Sequence, residues 1–199
     1  MSTATPALRV EPVTPDRWDD LARLFGPNGA YSNCWCTFFR QTGREFGEGC
    51  RDRGAGNRAM LRTLVRDAEV PGLLAYRGDE PVGWVSVAPR PQFGRYLRSP
   101  ITRLDPASRE NGDTWSIVCL FVPRGNRRQG VARALVAGAV AWARERGAVT
   151  LEGYPYDTHG QRHDSASLYV GTVGLFTDAG FREVARRVES RPVMELRLA

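Results

Sequence analysis

Arg127-Arg128-Gln129-Gly130-Val131-Ala132 gathers two guanidinium groups and a glycine at the start of a helical pattern. The apolar run Trp115 to Val122 precedes it, and Val131, Leu135, Ala139 and Trp142 follow at helical spacing. A strand, a basic turn and a helix N-terminus in that order form a cradle for an anion. The first N–H groups of a helix have no partner inside it, and the helix dipole adds positive potential at that end. Glycine at 130 leaves room for a phosphate against the backbone, where a side chain would stand in the way. The N–H groups of about residues 128–133 are therefore the expected phosphate contacts.

The elements needed to hold this cradle are legible on both sides. Leu8-Arg9-Val10 reads as a first strand. Thr14-Pro15-Asp16 starts a helix with a capping hydroxyl, proline at the first helical position and an acid in the first turn. Trp18, Leu21, Ala22 and Phe25 repeat at helical spacing, and Gly26 stops the helix. Residues 26–56 read as irregular, glycine-rich and aromatic, a loop long enough to be functional or partly helical. Asn57 is expected to cap a second helix carrying Met60, Leu61, Leu64, Val65 and Ala68, which Pro71-Gly72 ends. Leu73 to Val87 reads as a hairpin turning at Arg77-Gly78-Asp79-Glu80, and 89–113 as a connector without period. After the helix at 130–146 come a strand at Val149 to Tyr154 and a polar loop over 155–168. A short helix near 171–179 and a terminal antiparallel pair, Phe181 to Val188 and Val193 to Leu198, complete the chain.

Composition narrows the classes. The 199 residues are long enough for one domain with a real core, and the apolar content of 42% and charged content of 25% are ordinary for a globular protein. No apolar stretch is long enough for a membrane span. Met1-Ser2-Thr3-Ala4-Thr5-Pro6 lacks the basic start and apolar run of a secretory signal, so a cytoplasmic location is expected. Every one of the 28 basic residues is arginine and the net charge is +6. The arginines are interspersed with acids, as in Arg66-Asp67 and Arg144-Glu145-Arg146, and form no basic stripe with aromatics, which argues against nucleic acid as a partner. Cys34-Trp35-Cys36 has the wrong spacing for zinc and no His-x3-His partner, so no metal is expected. Cys34, Cys36, Cys50 and Cys119 read as core or pocket wall, Cys119 as core.

The order Arg127-x-x-Gly130-x-Ala132 after a strand resembles the acyl-CoA signature of the GCN5-related N-acetyltransferase (GNAT) superfamily. Gly174-Leu175-Phe176-Thr177-Asp178-Ala179-Gly180-Phe181, followed by a strand, looks like that family's second motif. The resemblance covers nearly the whole chain. It implies an α/β (α+β) fold of one domain, 1–199, with a mixed central sheet flanked by helices. Strands 4 and 5 would be splayed to bind coenzyme A, with the acceptor-side loop at about 26–56 and the CoA-binding core at about 115–181. It implies an acetyl-CoA-dependent N-acetyltransferase acting by direct transfer in a ternary complex. Acetyl-CoA would be the co-substrate and a small-molecule amine the acceptor; a homodimer is compatible with it. A non-catalytic acyl-CoA-binding regulator and an enzyme acting on protein amines stay open beside it.

On this resemblance the donor-binding residues are Leu120, Phe121, Val122, Arg127, Arg128, Gln129, Gly130, Val131, Ala132 and Arg133. The backbone of Leu120 and Val122 would pair with the pantetheine arm as an extra strand would. Transfer to an amine with pKa ~10.4 also asks for a base. Many relatives carry an acid on the strand before the signature, but Trp115 to Val122 has none. Glu152 on the next strand is the best carboxylate, with Asp157 and His159 behind it. The family's usual acid, a tyrosine four residues before the glycine of Gly-Phe, is Phe176 here, and Tyr169 is offered as its substitute. Cys34, Trp35, Trp84 and Tyr154 are the expected acceptor-side contacts, because aromatics bind flat or cationic groups well.

Overall fold

The computed structural model describes residues 7–104, 106–161, 163–164 and 168–198. The N-terminal segment read as lacking a signal, and parts of the polar loop before Tyr169, lie outside them. Among the described residues one seven-stranded sheet runs in the order β1-β2-β3-β4-β5-β7-β6. The strands are β1 (Leu8–Pro12), β2 (Gly72–Arg77), β3 (Glu80–Pro89), β4 (Thr114–Phe121), β5 (Thr150–Gly153), β6 (Arg182–Val188) and β7 (Arg191–Arg197). Neighbours pair antiparallel except β4 and β5, which run parallel. The helices are α1 (Trp18–Phe25), α2 (Gly43–Gly49), α3 (Arg51–Arg66), α4 (Gly94–Leu97), α5 (Pro106–Arg109), α6 (Val131–Glu145) and α7 (Val173–Asp178).

Strand alternation divides the interior into two cores. Leu73, Val85, Ile117 and Leu151 face α6 and pack on Leu135, Val136 and Ala139. Leu74, Trp84 and Val118 face the other way, onto Leu21, Phe25, Leu61 and Val65 of α1 and α3. Gly83 is small for a reason: a Cβ there would meet Val131 Cγ1 at 2.6 Å, so α6 lies directly against β3.

Three expectations about the early chain need correction, and the first is the Thr14 cap: its hydroxyl makes no capping hydrogen bond, and a short helical turn, Pro15–Arg17, leads into α1. Residues 26–56 are not all irregular, because α2 starts with a capping box in which Thr42 and Glu45 exchange hydrogen bonds. Asn57 is no cap. It is buried inside α3 and clamps the loop, donating to the Asn33 carbonyl at 3.0 Å and accepting from Gln41 at 2.9 Å.

The feature that makes a site is the parting of β4 and β5. Their ladder covers only Thr114 to Ile117 against Thr150 to Gly153, and β4 then continues to Phe121 without β5, paired as a strand on its β3 side only. Opposite β3, Ser86 pairs with Cys119 and Val87 with Ile117, so Val118 is the extra residue of a β-bulge. Phe176 of α7 fills the base of the fork. A Cβ on Gly153 would lie 2.1 Å from Phe176 Cε1, so only glycine lets the ring in.

Candidate functional site

The chain between β4 and α6 is a short helical turn, Arg124–Asn126, then Arg127 extended and Arg128 left-handed at φ 59°. Gly130 is the N-cap of α6 with φ 80°, and no side chain caps the helix. A Cβ at 130 would meet nothing within 4 Å, so the space in front of the helix end is open. Arg127 Nε holds the Val122 carbonyl at 3.0 Å and pins the turn to the strand. Gln129 departs from the expected contact set. Its side chain accepts from Arg77 Nη1 at 2.7 Å and donates to the Gly125 carbonyl at 2.8 Å, so it braces the turn.

In front of this helix end lies a cleft of about 1100 Å³. Arg127, Arg128, Gly130, Val131, Ala132 and Arg133 line its basic end, and Leu120, Phe121 and Val122 line its floor. The far end is built by the early loop, with Tyr31, Cys34, Cys36, Phe38, Phe39 and Phe46, and by Cys119 and Tyr169. One continuous space thus joins a phosphate-type cradle to an aromatic, thiol-bearing pocket.

The edge of β4 facing away from β3 is partly occupied. Leu120 N–H donates to the Tyr169 carbonyl at 2.6 Å, and Tyr156 N–H donates to the Gly171 carbonyl at 2.9 Å. The turn before α7 therefore crosses the fork. By strand alternation the Leu120 carbonyl and the Val122 N–H lie on that same edge. The Leu120 N–H, expected to pair with the pantetheine arm, is thus already engaged by the Tyr169 carbonyl.

Tyr169 sits in this turn and not on an extended α7, whose N-cap is Thr172. Its phenol nevertheless reaches the cleft, 6.2 Å from the Phe39 ring centroid, and partial burial raises its pKa. Phe176 is wholly buried, edge-on to Phe181 at 5.0 Å.

Three expected contacts turn out to be framework. Trp84 is fully buried and edge-on to Phe25 at 5.7 Å. Trp35 is the anchor of the early loop, stacked on Trp18 at 6.1 Å, while Cys34 and Cys36 on either side of it reach the cleft. Tyr154 stacks on Tyr96 at 4.1 Å and donates to Glu152 at 2.7 Å.

Glu152 does not reach the cleft. Its carboxylate is buried, paired with Arg90 Nη1 at 2.8 Å, and lines a separate small cavity with Thr102 and Glu195. Burial raises its pKa, although Tyr154 and Arg90 oppose this. As positioned it holds the short helices after β3 onto the sheet, and Arg90 also donates to the Ser108 carbonyl. Asp157 is held by Arg186 at 2.9 Å, and burial is not what moves its pKa: the His159 N–H lowers it. The cleft does contain one carboxylate overlooked in the sequence, Asp164, which sits in a segment with no periodic signal.

Of the cysteines expected in the core or pocket wall, Cys36 and Cys119 are buried, and Cys34, Cys36 and Cys119 lie in contact along the cleft. Cys36 Sγ lies 3.2 Å from Cys119 Sγ, and Cys36 N–H points at Cys34 Sγ at 3.5 Å. The hydrogen bond from the Cys36 thiol, helped by backbone N–H groups, brings the Cys34 pKa down to about 6. The Cys36 thiol is driven the other way by its two sulfur neighbours and burial.

The family model described as the acetyltransferase (GNAT) family matches residues 35–171. The chain belongs to the GNAT family. The match spans the early loop from Trp35 onward, β4, the cradle and the turn that carries Tyr169. No curated protein matches the chain. Among solved structures, this GNAT chain is similar to PaiA N-acetyltransferase from Thermoplasma acidophilum in complex with coenzyme A. The two share 10% identity with a TM-score of 0.52, covering 96% of this chain and 99% of that one. It is similar also to yncA from Salmonella typhimurium with its cofactor acetyl-CoA, at 14% identity and a TM-score of 0.54, over 97% and 95% of the two chains. A ribosomal-protein-alanine N-acetyltransferase from Brucella melitensis shares 20% identity at a TM-score of 0.51, over 94% and 96%. These likenesses speak for the fold. Acetyl-CoA is the co-substrate of the GNAT family, and the acceptor is an amine. No helix among the described residues is long and apolar enough to cross a membrane.

Proposed function

We propose that this GNAT enzyme moves the acetyl group of acetyl-CoA directly onto the primary amine of a small molecule, both substrates lying in the one cleft. The observation that carries this reading is the continuity of that cleft from the uncapped α6 N-terminus, past the end of β4 that β5 leaves, to the early loop. On this reading the whole chain is one acetyltransferase domain. Residues 115–181 hold the donor and 26–56 face the acceptor.

The backbone at Gly130, Val131 and Ala132 would receive the pyrophosphate, with Arg127, Arg128 and Arg133 beside it. Arg133 also pairs with Asp178 at 2.7 Å, which ties α6 to α7 on the cleft rim. The Leu120 carbonyl and Val122 N–H would guide the pantetheine arm. Tyr169, kept protonated by its raised pKa, would return a proton to the departing thiolate. The apolar, aromatic far end favours the uncharged amine, because burying an unpaired ammonium is costly.

Release of free thiol from acetyl-CoA, measured with small primary amines beside peptides bearing free amino termini, tests this. Turnover with small amines above the peptides is expected. Turnover confined to the peptides would overturn the small-molecule acceptor.

A further inference from the structure

We propose that Cys34 is a covalent acyl-accepting site: when the amine subsite is empty, its sulfur takes the acyl group from the bound acyl-CoA. The inference rests on the reading of the cleft as the acyl-CoA site.

Four observations converge on Cys34. It lines the cleft, as do Cys36 and Cys119. Cys119 immediately precedes Leu120, whose strand edge would carry the pantetheine, and the sulfur chain leads from Cys119 through Cys36 to Cys34. Cys34 is therefore linked to the strand that floors the thioester end by one S···S contact, Cys36 to Cys119, and one N–H···S contact, Cys36 to Cys34. The loop around it is held in an unfavourable conformation. Ala30, Ser32, Asn33, Trp35 and Cys36 all have positive φ, between 45° and 71°. Such conformations are unfavourable for residues with a Cβ and persist where the surroundings enforce them, commonly at functional sites. What the geometry achieves here is specific: residues in left-handed turns aim N–H groups inward, and that of Cys36 meets the Cys34 sulfur. Trp35 meanwhile is buried on Trp18 and fixes the turn from behind.

A hydrogen-bonded thiolate is a good nucleophile toward a thioester. The Cys34 sulfur attacks the acyl carbonyl carbon and a new S–C bond forms. The C–S bond to coenzyme A breaks, and coenzyme A leaves as its thiolate. That thiolate takes up a proton equivalent to the one Cys34 released on ionising, with the Tyr169 hydroxyl as the donor in the cleft. One thioester replaces another, so no oxidant or reductant enters.

The test incubates the full chain with acetyl-CoA without any amine, then maps acetylated cysteines by mass spectrometry of peptides. Desulfo-coenzyme A, which can fill the donor site but has no sulfur to acylate, serves as competitor, and its thermal stabilisation of the protein is read in parallel. Cys50 is the internal control, since it does not line the cleft and its sulfur accepts from Asn57 at 3.3 Å. One acetyl group per chain on Cys34 is expected, lost with excess desulfo-coenzyme A and absent in Cys34→Ser. No acetyl on Cys34 in a protein that desulfo-coenzyme A stabilises would overturn the proposal while leaving the donor site standing. Equal labelling of Cys34 and Cys50, unaffected by the competitor, would overturn it as ordinary chemical acylation. Absence of stabilisation by desulfo-coenzyme A would remove the donor site itself.

Discussion

At the scale of single residues, the site is defined by which polar groups are brought into the cleft and which are locked beneath it. Phe176 cannot donate a proton and is sealed against Gly153, whereas the Tyr169 phenol is in the cleft with its pKa raised by burial. If Tyr169 protonates the departing sulfur, Tyr169→Phe lowers kcat by about 10²–10⁴-fold, with KM for acetyl-CoA little changed. Unchanged kcat would remove it from the mechanism. Cys34 acylation should rise with pH up to a plateau, because the thiolate fraction grows as pH passes its pKa of about 6. The other ionisable groups lining that cleft are the Cys36 and Cys119 thiols, the Tyr31 and Tyr169 phenols, the Asp164 carboxylate and Arg127, Arg128 and Arg133, and no carboxylate is among the causes of the shift.

Glu152 and Arg90 make a different kind of prediction. Their side chains are 6% and 5% exposed, so removing the cation leaves a buried carboxylate uncompensated. Such a loss costs about 3–5 kcal/mol. Glu152 already has a folded-state pKa raised above its ordinary 4.5, and loss of Arg90 raises it further. Protonation therefore favours the folded state. The stability of Arg90→Met should be best preserved below the ordinary carboxylate pKa and lost as pH rises through the raised one. Urea unfolding of variant and wild type would show the gap between them widening from mildly acidic to neutral pH. A constant gap would mean that the pair does not behave as a buried charge.

At the scale of elements, the cradle was legible because every part of it is local. Arg127 to Ala132, the strand before and the helix after are contiguous, and α6 starts one residue after Gly130. The strands and helices themselves followed from alternation and helical spacing for the same reason, whereas the order of strands in the sheet and the split into two cores came only with the structure. The acceptor end was not legible in this way. The sulfur contact between Cys36 and Cys119 joins residues 83 apart, and no local pattern announces it. Glu152 misled because strand period gives a face but not a partner, and the partner, Arg90, lies 62 residues earlier in a connector without period. Trp84 and Tyr154 were ambiguous for a similar reason: an aromatic on a strand suits a core and a pocket equally. At the fork, Gly153→Ala would drive a methyl into Phe176. A destabilisation of about 1–3 kcal/mol is expected, read from chemical denaturation. Neutral behaviour would mean that the ring can leave the fork.

At the scale of the whole molecule, one sheet carries two jobs. Each face carries a core, and at the β4 edge, where β4 and β5 part, residues of both cores line a cleft that would hold donor and acceptor together. That division predicts a ligand-linked stability. Saturating acetyl-CoA, at a hundred times its dissociation constant, should stabilise the fold by about 2.7 kcal/mol. The most direct measurement is thermal unfolding of the wild type and Gly130→Glu, each with and without acetyl-CoA. Space at 130 is open, so the variant should fold at a cost of about 1–2 kcal/mol from its positive φ. Its carboxylate would stand where the phosphates belong. The account predicts a clear upward shift in the wild type and none in the variant. An unshifted wild type, or an equal shift in both, would contradict the placement of the donor at the α6 N-terminus.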